Sequence, residues 1–153
     1  MRRGIRLAVD VGTVRIGIAR SDVDGVLAVP VETLARGEGD LARIGQLVAE
    51  WSALEVLVGL PRRLAGDEGP AADQARAFAS ELAAVLARPV RMVDERLSTV
   101  AAQRDLRAAG RTTRESRSVV DQAAAVVFLQ DALERERLTG DAAGELVSVE
   151  GSH

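Results

Sequence analysis

The sequence predicts an α/β domain with one mixed, five-stranded sheet flanked by helices. Three observations predict it: three strand-like segments run together at the start, β-leaning and helical segments alternate after them, and nothing divides the chain. At 153 residues the length suits one compact domain. No internal repeat, low-complexity tract or Pro/Gly-rich linker interrupts it, so residues 1–137 read as the domain. Residues 138–153 lack a pattern and read as a flexible C-terminal tail.

The elements follow in order. Residues 5–10 (IRLAVD) are short and β-leaning and end in an aspartate. Residues 15–21 (RIGIARS) alternate as a half-buried strand should, and the intervening Gly12-Thr13 makes the pair a hairpin. Residues 26–34 form a third strand in which Pro30 points to a sheet edge or a bulge. Asp40 reads as the cap of a helix whose apolar residues Leu41, Ile44, Leu47, Val48 and Trp51 keep helical spacing. The strand EVLVGLP at 55–61 is followed by an Arg-, Gly- and acid-rich loop, RRLAGDEG. Pro70 then opens a second helix with Phe78, Ala79, Leu82 and Leu86 on its buried stripe, and Pro89 closes it. VRMVDE at 90–95 is the fifth strand. Ser98 or Thr99 can cap a helix that stops near Gly110. Thr112 and Glu115 have the spacing of a capping box for a last helix running to about residue 136.

Composition removes most catalytic equipment. There are no cysteines, so disulfides, thiolate metal sites and cysteine nucleophiles are excluded. The one histidine is His153, which leaves neither a zinc site nor a Ser/His/Asp triad a credible partner. Any enzyme here works with carboxylates, hydroxyls and arginines. No apolar run approaches the roughly 20 residues that cross a bilayer, so no membrane is expected. The strand pattern begins within a few residues, which leaves no room for a signal peptide and favours a cytoplasmic protein.

The net charge of −3 does not advertise a nucleic-acid partner. All 20 basic residues are arginine, the side chain that pairs with phosphates in bidentate fashion, although codon bias in an Ala-, Val- and Gly-rich chain accounts for that as well. Distribution is more telling. Arg104, Arg107, Arg111, Arg114 and Arg117 fall in one stretch countered only by Asp105 and Glu115, as a basic arm gripping a backbone would, or a solvated charged face.

Three acids stand out. Asp10 and Glu95 end strands one and five, where ligands of such sheets usually bind, and neither is explained by capping. Asp121 precedes Ala124, Ala125, Phe128, Leu129 and Ala132 at helical spacing, which sets it on an apolar stripe facing the sheet. A carboxylate there needs a partner, either an arginine or a metal ion. Carboxylate oxygens are ligands for hard cations such as Mg²⁺ or Mn²⁺. Two such ions together can activate water and stabilise the leaving oxygen of a phosphodiester. Arg15 either reaches a phosphate near Asp10 or pairs with that acid. Arg96, Ser98 and Thr99 follow Glu95 directly and can line a substrate channel. Trp51, Phe78 and Phe128 occupy helical stripes and read as core rather than stacking platforms.

Four ordered motifs carry a resemblance: D10-V-G-T-V-R15-I-G17-I-A, V58-G-L-P61, D94-E-R-L-S-T99 and D121-Q-A-A-A-V-V-F-L-Q130. Together they resemble the YqgF/RuvX family of Holliday-junction resolvases, also described as pre-16S rRNA nucleases, over roughly residues 5–133. The resemblance implies an RNase H-like fold, a Mg²⁺ or Mn²⁺ site and nucleic-acid substrates, with Asp10, Glu95 and Asp121 as the metal-binding and catalytic acids. It further implies processing of the 5′ end of the small-subunit rRNA precursor, the older proposal being resolution of branched DNA. Where the family carries less charged residues after Pro61, this chain has Arg62 and Arg63, which can strengthen phosphate binding. The first motif alone also resembles the phosphate loop of actin-like and sugar-kinase ATPases, but those enclose ATP with a second domain for which this chain has no room. A non-catalytic module with transcription or ribosome-assembly partners is the competing expectation; the chain is a monomer or a homodimer, a dimer suiting a two-fold junction and a monomer rRNA processing.

Overall fold

The computed structural model describes residues 1–61, 69–94 and 113–147, with the last helix described in its side chains from Gln122 onward. Six strands and three helices are present among them: β1 (Arg6–Val11), β2 (Arg15–Ser21), β3 (Ala28–Ala35), α1 (Asp40–Trp51), β4 (Glu55–Leu60), α2 (Pro70–Val85), β5 (Val90–Asp94), α3 (Thr113–Thr139) and β6 (Glu145–Leu146). The sheet order is β3-β2-β1-β4-β5-β6. β1, β2 and β3 form an antiparallel meander, while β4 and β5 run parallel to β1 and β6 returns antiparallel to β5.

Alternation along the strands divides the interior into two cores. Leu7, Val9 and Val11 of β1 pack with α1 and α2, together with Ile44, Leu47, Phe78 and Leu82. Ala8 faces the other way, towards Ala125, Phe128, Leu129 and Leu133 of α3. Phe78 and Phe128 are core residues as expected, and Trp51 packs against the first core. α3 lies across β2, β3 and β1.

Pro30 meets both expectations attached to it. β3 is the edge strand, and its pairing with β2 shifts register between Ile18 and Ala19, where Pro30 and Glu32 face consecutive β2 residues. Several boundaries differ from the pattern reading. Gly39, not Asp40, caps α1; Asp40 is its first residue and its carboxylate accepts the N–H groups of Gly37 and Leu41 at 3.1 and 2.7 Å. α2 stops at Val85, ahead of Pro89, because Leu86 already has extended backbone. α3 continues to Thr139, and the sheet has six strands rather than five because β6 adds an edge within the stretch read as patternless. The helix expected over 98–110 and the loop over 62–68 lie outside the described residues.

Candidate active site at the carboxyl end of the parallel strands

Asp10 does not sit at the tip of its strand. β1 continues to Val11, and Asp10 pairs with Gly17 inside the ladder. Gly17 in turn pairs with Thr33 on β3. On the other side β1 and β4 are in step at Val9 and Val58, so the next residue along β4 is Gly59, which pairs with Val93 of β5. A transverse row therefore runs Thr33, Gly17, Asp10, Gly59, Val93. Asp10 is in phase with Ala8, so the row belongs to the α3 face. Glycine on both flanks leaves a half-buried carboxylate between two neighbours without side chains. The motif glycines, legible only as turn and packing residues, thus bracket the acid.

The turn beyond Asp10 is firmly held. The Gly12 N–H donates to the Arg15 carbonyl at 2.8 Å, and a Cβ on Gly12 would collide with that oxygen. Arg36, just past β3, donates its backbone N–H to Val14 at 2.8 Å and Nη1 to the Gly12 carbonyl at 2.9 Å. Its guanidinium lies 5.2 Å from the Phe78 ring centroid, which ties the turn to the first core. Sequence reasoning passed over Arg36 because it stands in a Gly- and charge-rich connection with no periodicity. Arg15 opens β2 two residues from Gly17, on the same α3 face as Asp10.

α3 reaches the same level through Gln122. Gln122 donates Nε2 to Thr33 Oγ1 at 2.8 Å, and Thr33 belongs to the Asp10 row. Asp121 directly precedes Gln122, and Ala124 and Ala125, one turn on, are fully buried against the sheet. The backbone of α3 just before Gln122 is therefore at the height of the Asp10 row. Arg114 and Arg117 belong to the first turns of α3, seven and four residues before Asp121.

Asp94 closes β5, but Val90 and Met92 belong to the α1/α2 core, and strand alternation gives Asp94 that face rather than the face of Asp10. Glu95, Arg62, Arg63, Arg96, Ser98 and Thr99 lie outside the described residues. Among the described residues no three His, Cys, Asp or Glu side chains group as a metal site.

A mixed sheet of this order, carrying an acid within its first strand and a long helix over that acid, is the RNase H-like fold. T. thermophilus RuvC, in a complex with a Holliday junction substrate, matches it with a TM-score of 0.56 at 14% identity, over 93% of this chain and 99% of that one. That match shows the fold alone; the family and its relatives define the class, nucleases that hydrolyse phosphodiester bonds. Within that class, the RuvX family model, described as Holliday junction resolvase, matches residues 4–135, and the chain belongs to that family. Among its relatives, a protein of Nocardioides sp. strain JS614 is 58% identical over 96% of this chain and 98% of its own length. One from Streptomyces avermitilis is 57% identical over 97% of both chains. Each of the two bears the name "Putative pre-16S rRNA nuclease". Among the described residues no helix is long and apolar enough to cross a membrane.

Proposed function

We propose that this chain is a divalent-metal-dependent nuclease that trims the 5′ end of the pre-16S rRNA, with Asp10, Glu95 and Asp121 as its metal-binding acids. The observation that carries the reading is the shared height of Asp10 and the Asp121 position, set by the bond from Gln122 to Thr33 in the Asp10 row. Glu95 joins them on the strength of the family resemblance carried by the D94-E-R-L-S-T99 motif. The donor set fits Mg²⁺ or Mn²⁺: hard carboxylate oxygens, with no cysteine and with histidine only at residue 153. When bound, such ions supply an activated water and charge stabilisation at the leaving oxygen.

The chain's own residues supply positioning. Asp10, held in the ladder between two glycines, presents its carboxylate on a rigid strand, the kind of support that keeps a reacting geometry within tolerance. Arg15 on the same face neutralises a phosphate beside it. Arg114 and Arg117 extend that cationic track along α3, while Arg62, Arg63, Arg96, Ser98 and Thr99 complete the contacts to backbone phosphates. Contacts of this type give affinity without sequence choice.

The family description supports branched DNA as a second substrate reading. Cleavage of a pre-rRNA 5′ leader and of a four-way junction, side by side with Mg²⁺ or Mn²⁺, separates the two. Preferential cutting of the leader is expected, with Asp10→Asn abolishing it while nucleic-acid binding persists. Undiminished cleavage by Asp10→Asn would remove the acids from the chemistry. Recovery of ribosomal or transcription partners with no metal-dependent cleavage would instead make the chain a non-catalytic module of the cytoplasm. A homodimer that cuts only the junction would favour resolution, since a two-fold substrate calls for a two-fold enzyme.

A further inference from the structure

The interface between α3 and the sheet combines Ala8, Ala19, Ala28, Ala125 and Ala132 with the larger Leu57, Val93, Phe128, Leu129 and Leu133. The cluster's members on β2 and β3 are alanines, Ala19 and Ala28, so the ridges and grooves that normally fix one element along another are shallow there. Polar tethers take over that task along β3. Gln130 accepts the Ala28 N–H at 3.0 Å and donates to the Val26 carbonyl at 2.8 Å, as a neighbouring strand would. Eight residues earlier, Gln122 donates to Thr33 at 2.8 Å. The tethers run in opposite chain directions along β3 and α3, so together they define both the axial position and the rotation of the helix.

We propose that Gln122 and Thr33 form a positioning pair for the nuclease site, holding α3 at the height where Asp121 meets Asp10. The proposal rests on the assignment of those acids made above. Gln130 holds the distant half of the helix; Gln122 holds the turn that carries Asp121, and its partner belongs to the register row of Asp10. A slip of one residue moves a helix by about 1.5 Å. Misplacement of about 1 Å is enough to cost on the order of a hundredfold in rate. Both residues position rather than react. They act through Asp121.

The test is Thr33→Val, which removes the hydroxyl at nearly constant shape, beside Gln122→Met, the double variant, Thr33→Ser and Asp10→Asn. Cleavage kinetics and Mn²⁺ binding by calorimetry are read for each. Thr33→Val and Gln122→Met are expected to lower kcat and Mn²⁺ affinity by about 10- to 100-fold, in the manner of outer-shell partners. KM is expected to stay near its wild-type value and the thermal midpoint to move little. The double variant is expected to be no worse than either single one, and Thr33→Ser to recover most of the loss. Wild-type kcat and Mn²⁺ affinity in Thr33→Val, with Asp10→Asn inactive, would overturn the positioning role alone. Full activity in Asp10→Asn would overturn the nuclease assignment and the pair with it.

Discussion

Arg6 and Glu136 meet at 2.8 Å with their side chains only 1% and 4% exposed. The pair lies at the amino end of β1, the opposite end of the sheet from Asp10, and it is the centre of a larger network. Arg2 reaches Glu136 at 2.6 Å and Glu55 at 2.8 Å, while Arg91 reaches Glu55 at 3.0 Å. α3 is thereby bolted to β1 and β4 by charge at one end, and held to β3 by neutral amides nearer the site. Removing one member of a buried pair strands the other. Glu136→Ala is therefore expected to destabilise the fold by about 3–5 kcal/mol, measured by denaturant unfolding. Arg2→Ala, whose side chain is 40% exposed, is expected to cost distinctly less. Equal losses in the two variants would show that the network does not depend on burial.

The same carboxylate sets an acid limit. Burial pushes Glu136 up, but hydrogen bonds from the Arg2 side chain and backbone, with the nearby charge of Arg6, outweigh it and hold the group below its ordinary value near 4.5. A folded-state value below the unfolded one means the folded chain binds the proton less readily. The resulting stabilisation is fully present above the ordinary carboxylate range and is lost as pH falls through the depressed value. The stability gap between wild type and Glu136→Gln is expected to be widest near neutrality and to close steadily below about pH 4. A gap constant from pH 7 to pH 3, followed by urea midpoints, would contradict this account.

Gly144 is where the chain after α3 turns back onto β5. Its φ of +80° is left-handed, and a Cβ there would run into the Met92 carbonyl. The next residues form β6, and Val147 donates to the Val90 carbonyl at 2.8 Å. Gly144→Val is expected to release this edge at a cost of about 1–3 kcal/mol, seen as lost hydrogen-exchange protection at the Val147 amide. Retained protection would mean the turn tolerates a side chain.

The contrast between β2 and β6 explains what the sequence could reveal. Seven alternating residues declare β2 to the residue, whereas Glu145–Leu146 is too short for any period, and its place depends on a backbone contact with Met92 that no pattern encodes. Asp10 drew notice as an acid ending a β-leaning segment, but its place inside the ladder needed the cross-strand register. The stripe that drew notice to Asp121 was legible, since Ala124, Ala125, Phe128, Leu129 and Ala132 are all buried. Gln122, Gln130 and Arg36 were not, since neutral or loop residues acquire meaning only from the strand they reach. The flanks of Asp10 were half legible: Gly17 and Gly59 stood in the motifs, but only cross-strand register makes them its neighbours.

That register leads to the most direct test of the site. Clustered carboxylates repel one another until a cation neutralises them, so a site built for metal carries a cost in the metal-free protein. Asp10→Asn keeps the shape of the side chain and removes one charge from the row between Gly17 and Gly59. Without metal, the variant is expected to melt at or slightly above the wild-type temperature. With Mn²⁺ the order reverses, because a ligand held only by the folded state adds about 2.7 kcal/mol at a hundredfold excess over its Kd. Scanning calorimetry across a Mn²⁺ series should therefore show the wild-type midpoint climbing while that of Asp10→Asn stays nearly flat. Parallel climbs in the two proteins would place the cation somewhere other than Asp10, and the transverse row would lose its claim to be the active site.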